Sequence, residues 1–343
     1  MKTRRSMMLA CASVLAASAF SVTPAMSAEK FRISLDTNPT HVRNRGVEVF
    51  ADLLKKRVGD KLVIEIYPSG QLFRDRDIPK ALRQGAVEMA VPGTWQLDGV
   101  APIAALQSLP MFYGVEGPIV HKVMDGALGD LMNKRFEEKM RVKVPGKWFD
   151  LGAQHFFASD SAINTYDDLK GRKIRYPGGT TNAARMTALG GTPVLIPFPD
   201  LPGALNQGVV ATVATTYEST WTSKLHEAGL KYSFEDTQYF GQYVPMIRSS
   251  WWDKQPKEIQ TAILEAWDIA ATAERANAAD AQIAARDNLI KAGMKAVTVP
   301  ADQRTAARKL LMKTQPELVE KLKIDKDIIE GAMKALKAAG VEL

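Results

Sequence analysis

One stretch limits what this chain can fold into more than any other. "PKEIQTAILEAWDIAATAERANAADAQIAARDNLIKAGM", residues 256–294, reads as helix from end to end. At about 1.5 Å per residue it would run roughly 55 Å if continuous, against the usual ~11–12 residues of a globular helix. Its middle is rich in alanine, which favours helix and adds little bulk. A single small domain cannot cover a rod of that length, so the expected architecture is two lobes braced by one helix.

The remainder supports two α/β lobes. "FRISL" alternates as a strand, "VEVFADLLKKRVG" has helical apolar spacing and stops at Gly59, and "KLVIEIYPSG" is a strand closed by Pro68 and Gly70. The helix "DRDIPKALRQG" and the strand "AVEMAVPG" complete a β-α-β-α-β series, which implies parallel strands with crossover helices. A second series begins near Trp148 and contains the strands "KIRYP", "TPVLIP" and "VVATVAT". The expected division is a leader over 1–28, lobe I over 29–150 completed by about 239–275, and lobe II over 151–238 completed by about 276–343. Two such lobes leave a cleft at their junction, the usual place for a small ligand, and hinge closure is the expected motion.

The first residues, MKTRRSMMLACASVLAASAFSVTPAMSAEK, combine a basic start, an apolar run from Met7 to Val22 and small residues at Ala25, Ser27 and Ala28. That is the pattern of a cleaved secretory signal, with the general export route preferred to the twin-arginine route despite Arg4-Arg5. The chain's one cysteine, Cys11, falls inside this segment. The exported product is therefore expected to carry no disulfide, thiol nucleophile or thiolate metal site. Removing the leader's three basic residues leaves 42 Lys and Arg against 38 Asp and Glu, a net charge of +4. Without clustered basic runs, that charge does not describe a nucleic-acid surface.

"DLKGRKIRYPGG", residues 168–179, places a guanidinium inside a short strand with a loop opening directly behind it. If Ile174 faces the core, Arg175 faces the cleft, because neighbours on a strand alternate sides. An arginine there can hold a carboxylate with two parallel charge-assisted bonds. The structural alternative is a pair with Asp167 or Asp168. Trp95, between glycines in "VPGTWQLDG", is either a cleft residue or a packing one.

In order, "KLVIEIYPSGQLFRDRDIPKALRQGAVEMAV", "LQSLPMFYG", "KIRYPGGTTNAARMTALGGTPVLIPFPDLPGALNQG" and "SSWWDKQPKEIQTAILEA" resemble the periplasmic substrate-binding subunits of TRAP transporters, the DctP family. The resemblance covers nearly the whole exported chain. It implies a two-lobed venus-flytrap receptor with a shared long helix and Arg175 as the clamp on a ligand carboxylate. It also implies delivery, as a monomer, to a permease of small and large membrane subunits driven by an ion gradient.

Departures from the pattern bear on the ligand. Many relatives carry a second arginine where this chain has Gln154, in "GAQHFF". A second ligand carboxylate facing Gln154 would be desolvated without a counter-ion, so one carboxylate with aromatic or hydroxylated bulk is expected. The family's usual asparagine position falls on Thr215. Tyr217 and Trp221 follow, placed either to stack on a ring or to pack the lobe. Asn38, Thr40 and His41 lie in the first β-to-α loop, as ligand contacts or helix caps. Arg74, in the loop "GQLFRDRD", is a further ligand candidate or a solvated charge.

The four histidines are scattered and no metal-ligand spacing, P-loop, dinucleotide fingerprint or nucleophile elbow is present. No cofactor is implied. The rival readings are a secreted hydrolase or lyase with His155 as base, and a receptor feeding a sensor kinase.

Overall fold

The computed structural model describes residues 29–343; the leader expected over residues 1–28, with Cys11, lies outside them. In the first lobe, β1 (Glu29–Ser34), β2 (Leu62–Tyr67) and β3 (Met89–Ala90) are parallel, joined by helices Val42–Val58 and Ile78–Gln84. The first helix ends where Gly59 takes φ +60°, a conformation open to glycine without strain. β4 (Val142–Lys143) lies at the far edge of this sheet. The chain then crosses on β5 (Phe149–Ala153).

The second lobe holds β6 (His155–Ala158), β7 (Lys173–Tyr176), β8 (Thr192–Leu195), β9 (Thr212–Thr215) and β10 (Tyr232–Glu235). Return is by β11 (Phe240–Tyr243), paired antiparallel with β5 through a bulge at Gly241/Gln242. β12 (Met246–Arg248) then inserts between β3 and β4, and β13 (Lys295–Thr298) later pairs with β10. The two sheets run β2-β1-β3-β12-β4 and β13-β10-β6-β9-β7-β8, and the pair β5–β11 links them. The second sheet is mixed, because β6 enters directly from the crossing strand without a helix and so pairs antiparallel with β9 and β10.

The long helix runs Lys257–Lys291, 35 residues or roughly 52 Å. Its buried residues recur three or four apart. Those from Ile259 to Ala271 join the core of the first sheet, while Ala285 and Leu289 join that of the second. One amphipathic stripe thus serves two cores.

The C-terminal assignment needs correcting. Helices Gln315–Leu322 and Lys326–Ala338 do not stay with the second lobe. Leu318, Leu322, Ile328, Ala332 and Leu336 share a core with Val120, Phe136 and Met140 of the first. The apolar face of Lys326–Ala338 meets the helices Gly117–Met124 and Ala127–Met140, so the chain crosses once more after residue 312.

Candidate functional site

The carboxyl ends of both sheets converge on a narrow cavity of about 30 Å³, well below the size of an open ligand site. Asp36, Thr37, Asp75, Trp95 and Tyr243 line one side, and Arg175, Phe198, Thr215 and Ser219 the other. Leu151 and Gln154, on and just past the crossing strand β5, form part of the wall.

Arg175 lies on β7, flanked by β8 and β9. Ile174 points into the core and Arg175 into the cavity, as strand alternation requires. The guanidinium is only 1% exposed. Its Nε donates to the Ile196 carbonyl at 2.9 Å and Nη1 to the Ala214 carbonyl at 3.3 Å, while Nη2 has no partner. No carboxylate lies within ion-pair distance among the described residues. Asp167 pairs with Lys170 at 2.8 Å, and Asp168 accepts backbone N–H groups from Asn164 and Thr165. The sequence alternative of an internal ion pair is therefore not realised. Burial lowers the guanidinium pKa to about 10, so the group stays charged at neutral pH, at a cost that a bound anion would offset.

Gln154 also lines the cavity: its Nε2 donates to the Tyr239 hydroxyl at 2.9 Å and its Oε1 is buried without a partner. Thr215 ends β9 beside it. Trp95 and Tyr243 stand 5.4 Å apart between ring centroids on the first-lobe side, and Phe198 faces them from the second. Room for the tryptophan depends on Gly179, whose φ is +91°; a Cβ there would lie 2.8 Å from the Trp95 carbonyl oxygen. The glycine pair after "KIRYP" lets the two lobes approach this closely.

Several expected residues lie elsewhere. Tyr217 turns behind the sheet, where its hydroxyl donates to Glu235 at 2.7 Å and its ring lies 5.4 Å from His155. It opens the helix Tyr217–Thr222, and the turn after Thr215 carries it away from the cavity. Trp221 stacks on His226 outside the cleft. His155 accepts the Thr237 backbone N–H on Nδ1, and burial lowers its pKa to about 4. It does not line the ligand cavity, which removes the base of the hydrolase reading.

Asn38, His41 and Arg74 work at the seam between the lobes. Asn38 Nδ2 donates to Ser223 Oγ at 2.8 Å, and Arg74 pairs with Asp200. His41 caps the helix Val42–Val58 by accepting the Arg43 N–H on Nδ1, which leaves the ring proton on Nε2, 3.1 Å from Ser219 Oγ and Glu218 Oε2. Gln96 adds a bond to the Pro177 carbonyl at 2.8 Å, and Asp98 accepts the Thr180 N–H at 2.6 Å. The cavity is closed, and Asn38, His41 and Arg74 join the lobes across the seam without lining the cavity itself.

Sequence reasoning missed Asp36, Asp75 and Arg43. Arg43 is buried between the two acids, at 2.5 Å from Asp36 and 2.7 Å from Asp75, with its guanidinium 4.3 Å from the centre of the Tyr243 ring. The usable signal was Asp36 at the carboxyl end of β1.

Buried carboxyls make the fold pH-sensitive. Burial raises Asp236 to about 8 and Glu218 to about 7. Both exceed the unfolded values, so their contribution is full below about pH 4 and is lost as pH rises through the folded values. Glu235 behaves oppositely, held at about 2 chiefly by the Arg286 hydrogen bond acting against burial, and loses its contribution on acidification. The melting temperature is expected to peak near pH ~5 and fall toward pH ~8. Asp236→Asn, whose amide oxygen can still accept from Tyr113, should flatten the alkaline limb in a pH series of thermal melts. An unchanged limb would contradict the assignment.

Two lobes closed over a cavity that presents one unpaired buried guanidinium define a solute-binding receptor. The model of the bacterial extracellular solute-binding proteins, family 7, DctP, matches residues 33–321, and the chain belongs to that family. Among curated relatives it is 25% identical over 276 residues to the 2,3-diketo-L-gulonate-binding periplasmic protein YiaO of Escherichia coli K12, covering 80% of this chain and 83% of that one. It is also 25% identical over 313 residues to the C4-dicarboxylate-binding periplasmic protein DctP of Rhodobacter capsulatus, covering 89% of each. Among solved structures, the sugar acid binding protein DctPAm of Advenella mimigardefordensis, in complex with galactonate, superposes with a TM-score of 0.86. The match has 19% identity and covers 91% of this chain and 99% of that one. The family consists of extracytoplasmic receptors of transporters, not enzymes. Among the described residues no helix is long and apolar enough to cross a membrane, and no cluster of side chains could hold a metal ion.

Proposed function

We propose that this chain captures a small monocarboxylate with aromatic or hydroxylated bulk in the periplasm and delivers it, as a monomer, to a TRAP permease of small and large membrane subunits. The observation that carries the reading is Arg175: a buried guanidinium with an unpaired edge, held by two carbonyl oxygens and facing a closed cavity. Gln154 in place of a second arginine supports a single carboxylate. Trp95, Tyr243 and Phe198 supply flat apolar surface for the remainder. The permease follows from family membership, and export from the leader pattern.

A thermal-shift screen of mono- and dicarboxylates, sugar acids and aromatic acids tests this. A ligand at a hundred times its dissociation constant adds about 2.7 kcal/mol, a readily measured rise. Monocarboxylates should give the largest shifts. Equal shifts from uncharged solutes, or the largest shifts from dicarboxylates, would overturn the reading.

A further inference from the structure

The wall opposite Arg175 holds two carboxylates, and their free oxygens indicate the far end of the ligand. Asp75 Oδ2 accepts Arg43 Nη1 at 2.7 Å and the Gly93 N–H at 3.1 Å, while Oδ1 accepts no hydrogen bond among the described residues. Asp36 Oδ1 takes Arg43 Nη2 at 2.5 Å, and its Oδ2 takes only the distant Asp75 N–H at 3.4 Å. Both acids line the cavity, whereas Arg43 sits behind them. One guanidinium serves two carboxyls on this wall; burial raises Asp75 to about 7, so the wall carries a net negative balance above that pH. Across the same cavity stand Arg175 Nη2 and Gln154 Oε1, both buried without a partner.

An ionised carboxylate only accepts hydrogen bonds. A second ligand carboxylate brought against Asp36 and Asp75 would meet like charge in a desolvated space, and a hydrocarbon end would leave their lone pairs unmet. A hydroxyl or an ammonium would satisfy them.

We propose that Asp36 and Asp75, oriented by Arg43, read hydrogen-bond donors at the end of the ligand remote from its carboxylate. The ligand is then a monocarboxylate bearing distal hydroxyl or ammonium groups. This rests on the capture of a carboxylate by Arg175.

Calorimetry at pH ~8, above the raised Asp75 value, on protein stripped of bound solute and with chains of four and six carbons, tests it. The probes are butyrate and hexanoate, succinate and adipate, threonate and gluconate, and 4-aminobutyrate and 6-aminohexanoate. At one length or both, a donor-bearing acid should bind at least 100-fold tighter than its plain and dicarboxylic counterparts, and the better of hydroxyl and ammonium identifies the donor. Asp75→Asn should shrink that preference at least tenfold and improve dicarboxylate binding relative to the wild type. If that variant does not fold, the wild-type series decides alone. Carboxylates that bind with no donor preference, or dicarboxylates that bind best, overturn the role of the acid pair while leaving Arg175 intact. Gluconamide binding as well as gluconate would instead remove the carboxylate reading beneath it. No binding by any probe overturns both.

Discussion

Arg175→Ala is expected to weaken binding of the captured acid by about 3–5 kcal/mol, the cost of leaving a buried charge without its partner. A micromolar ligand would then bind with a dissociation constant of about 0.2–5 mM. The free protein should nevertheless be no less stable, and its melting temperature should stay or rise. The reason is the guanidinium's present state: it is buried, two of its nitrogens meet carbonyl oxygens, one meets nothing, and burial has lowered its pKa to about 10. That displacement corresponds to about 3 kcal/mol of unfavourable desolvation at neutral pH. A ligand carboxylate would reverse it by restoring the missing charge and hydrogen bonds. Arg175→Lys keeps the charge but loses the planar fork, and should fall between wild type and alanine. Calorimetry with the ligand found by screening, beside melts of the unliganded proteins, measures both halves. Unchanged affinity in the alanine variant would end the ligand assignment. A large loss of stability in the free variant would make Arg175 a structural residue.

Much of this arrangement could be read in the sequence, and the part that could not has a physical pattern. The long helix was visible because alanine and helical spacing are local properties. Arg175 was visible because strand alternation and the position of Ile174 determine its face. The loop "FRDRD" was harder: four charges in sequence give no sign of which one turns inward. Arg74 points outward to Asp200, and its neighbour Asp75 is the buried one. Arg43 presented the same difficulty, since "HVRNRG" on a surface helix looks like solvated charge until the loops after β1 and β2 close over it. Asn38 and His41 occupy a loop at the carboxyl end of a strand, where the sequence leaves ligand contact and helix capping equally open, and His41 is the cap. Their partners, Ser223, Ser219 and Glu218, come from nearly two hundred residues away and exist only once the lobes meet. The crossing of the C-terminal helices to the first lobe was hidden for a related reason. The apolar face of Lys326–Ala338 is plain in the sequence, but nothing local says which of two cores will take it.

The brace itself makes the second large prediction. Trp267→Ala should cost about 3–5 kcal/mol of stability, a substantial part of the ~5–15 kcal/mol that holds a protein folded. Trp267 sits in the first-lobe half of the long helix with none of its surface exposed. Its ring stacks on Phe149 at 4.3 Å and 10°, meets Phe50 edge-on at 5.2 Å, and its Nε1 donates to the Lys147 carbonyl at 2.8 Å. Phe149 opens the crossing strand β5, so this one side chain ties the helix to both the first core and the link between lobes. Alanine would leave an apolar void and an unmet carbonyl together. Trp267→Phe keeps part of the stack but loses the N–H and the volume of the second fused ring, and should cost about 1–3 kcal/mol. Ile283 on the same helix is 64% exposed, and Ile283→Ala should stay within about 0.5 kcal/mol of wild type. Chemical denaturation of the three variants reads these differences directly. If Trp267→Ala unfolds no more easily than Ile283→Ala, the helix is not anchored through this tryptophan, and the two lobes must be held together by other contacts.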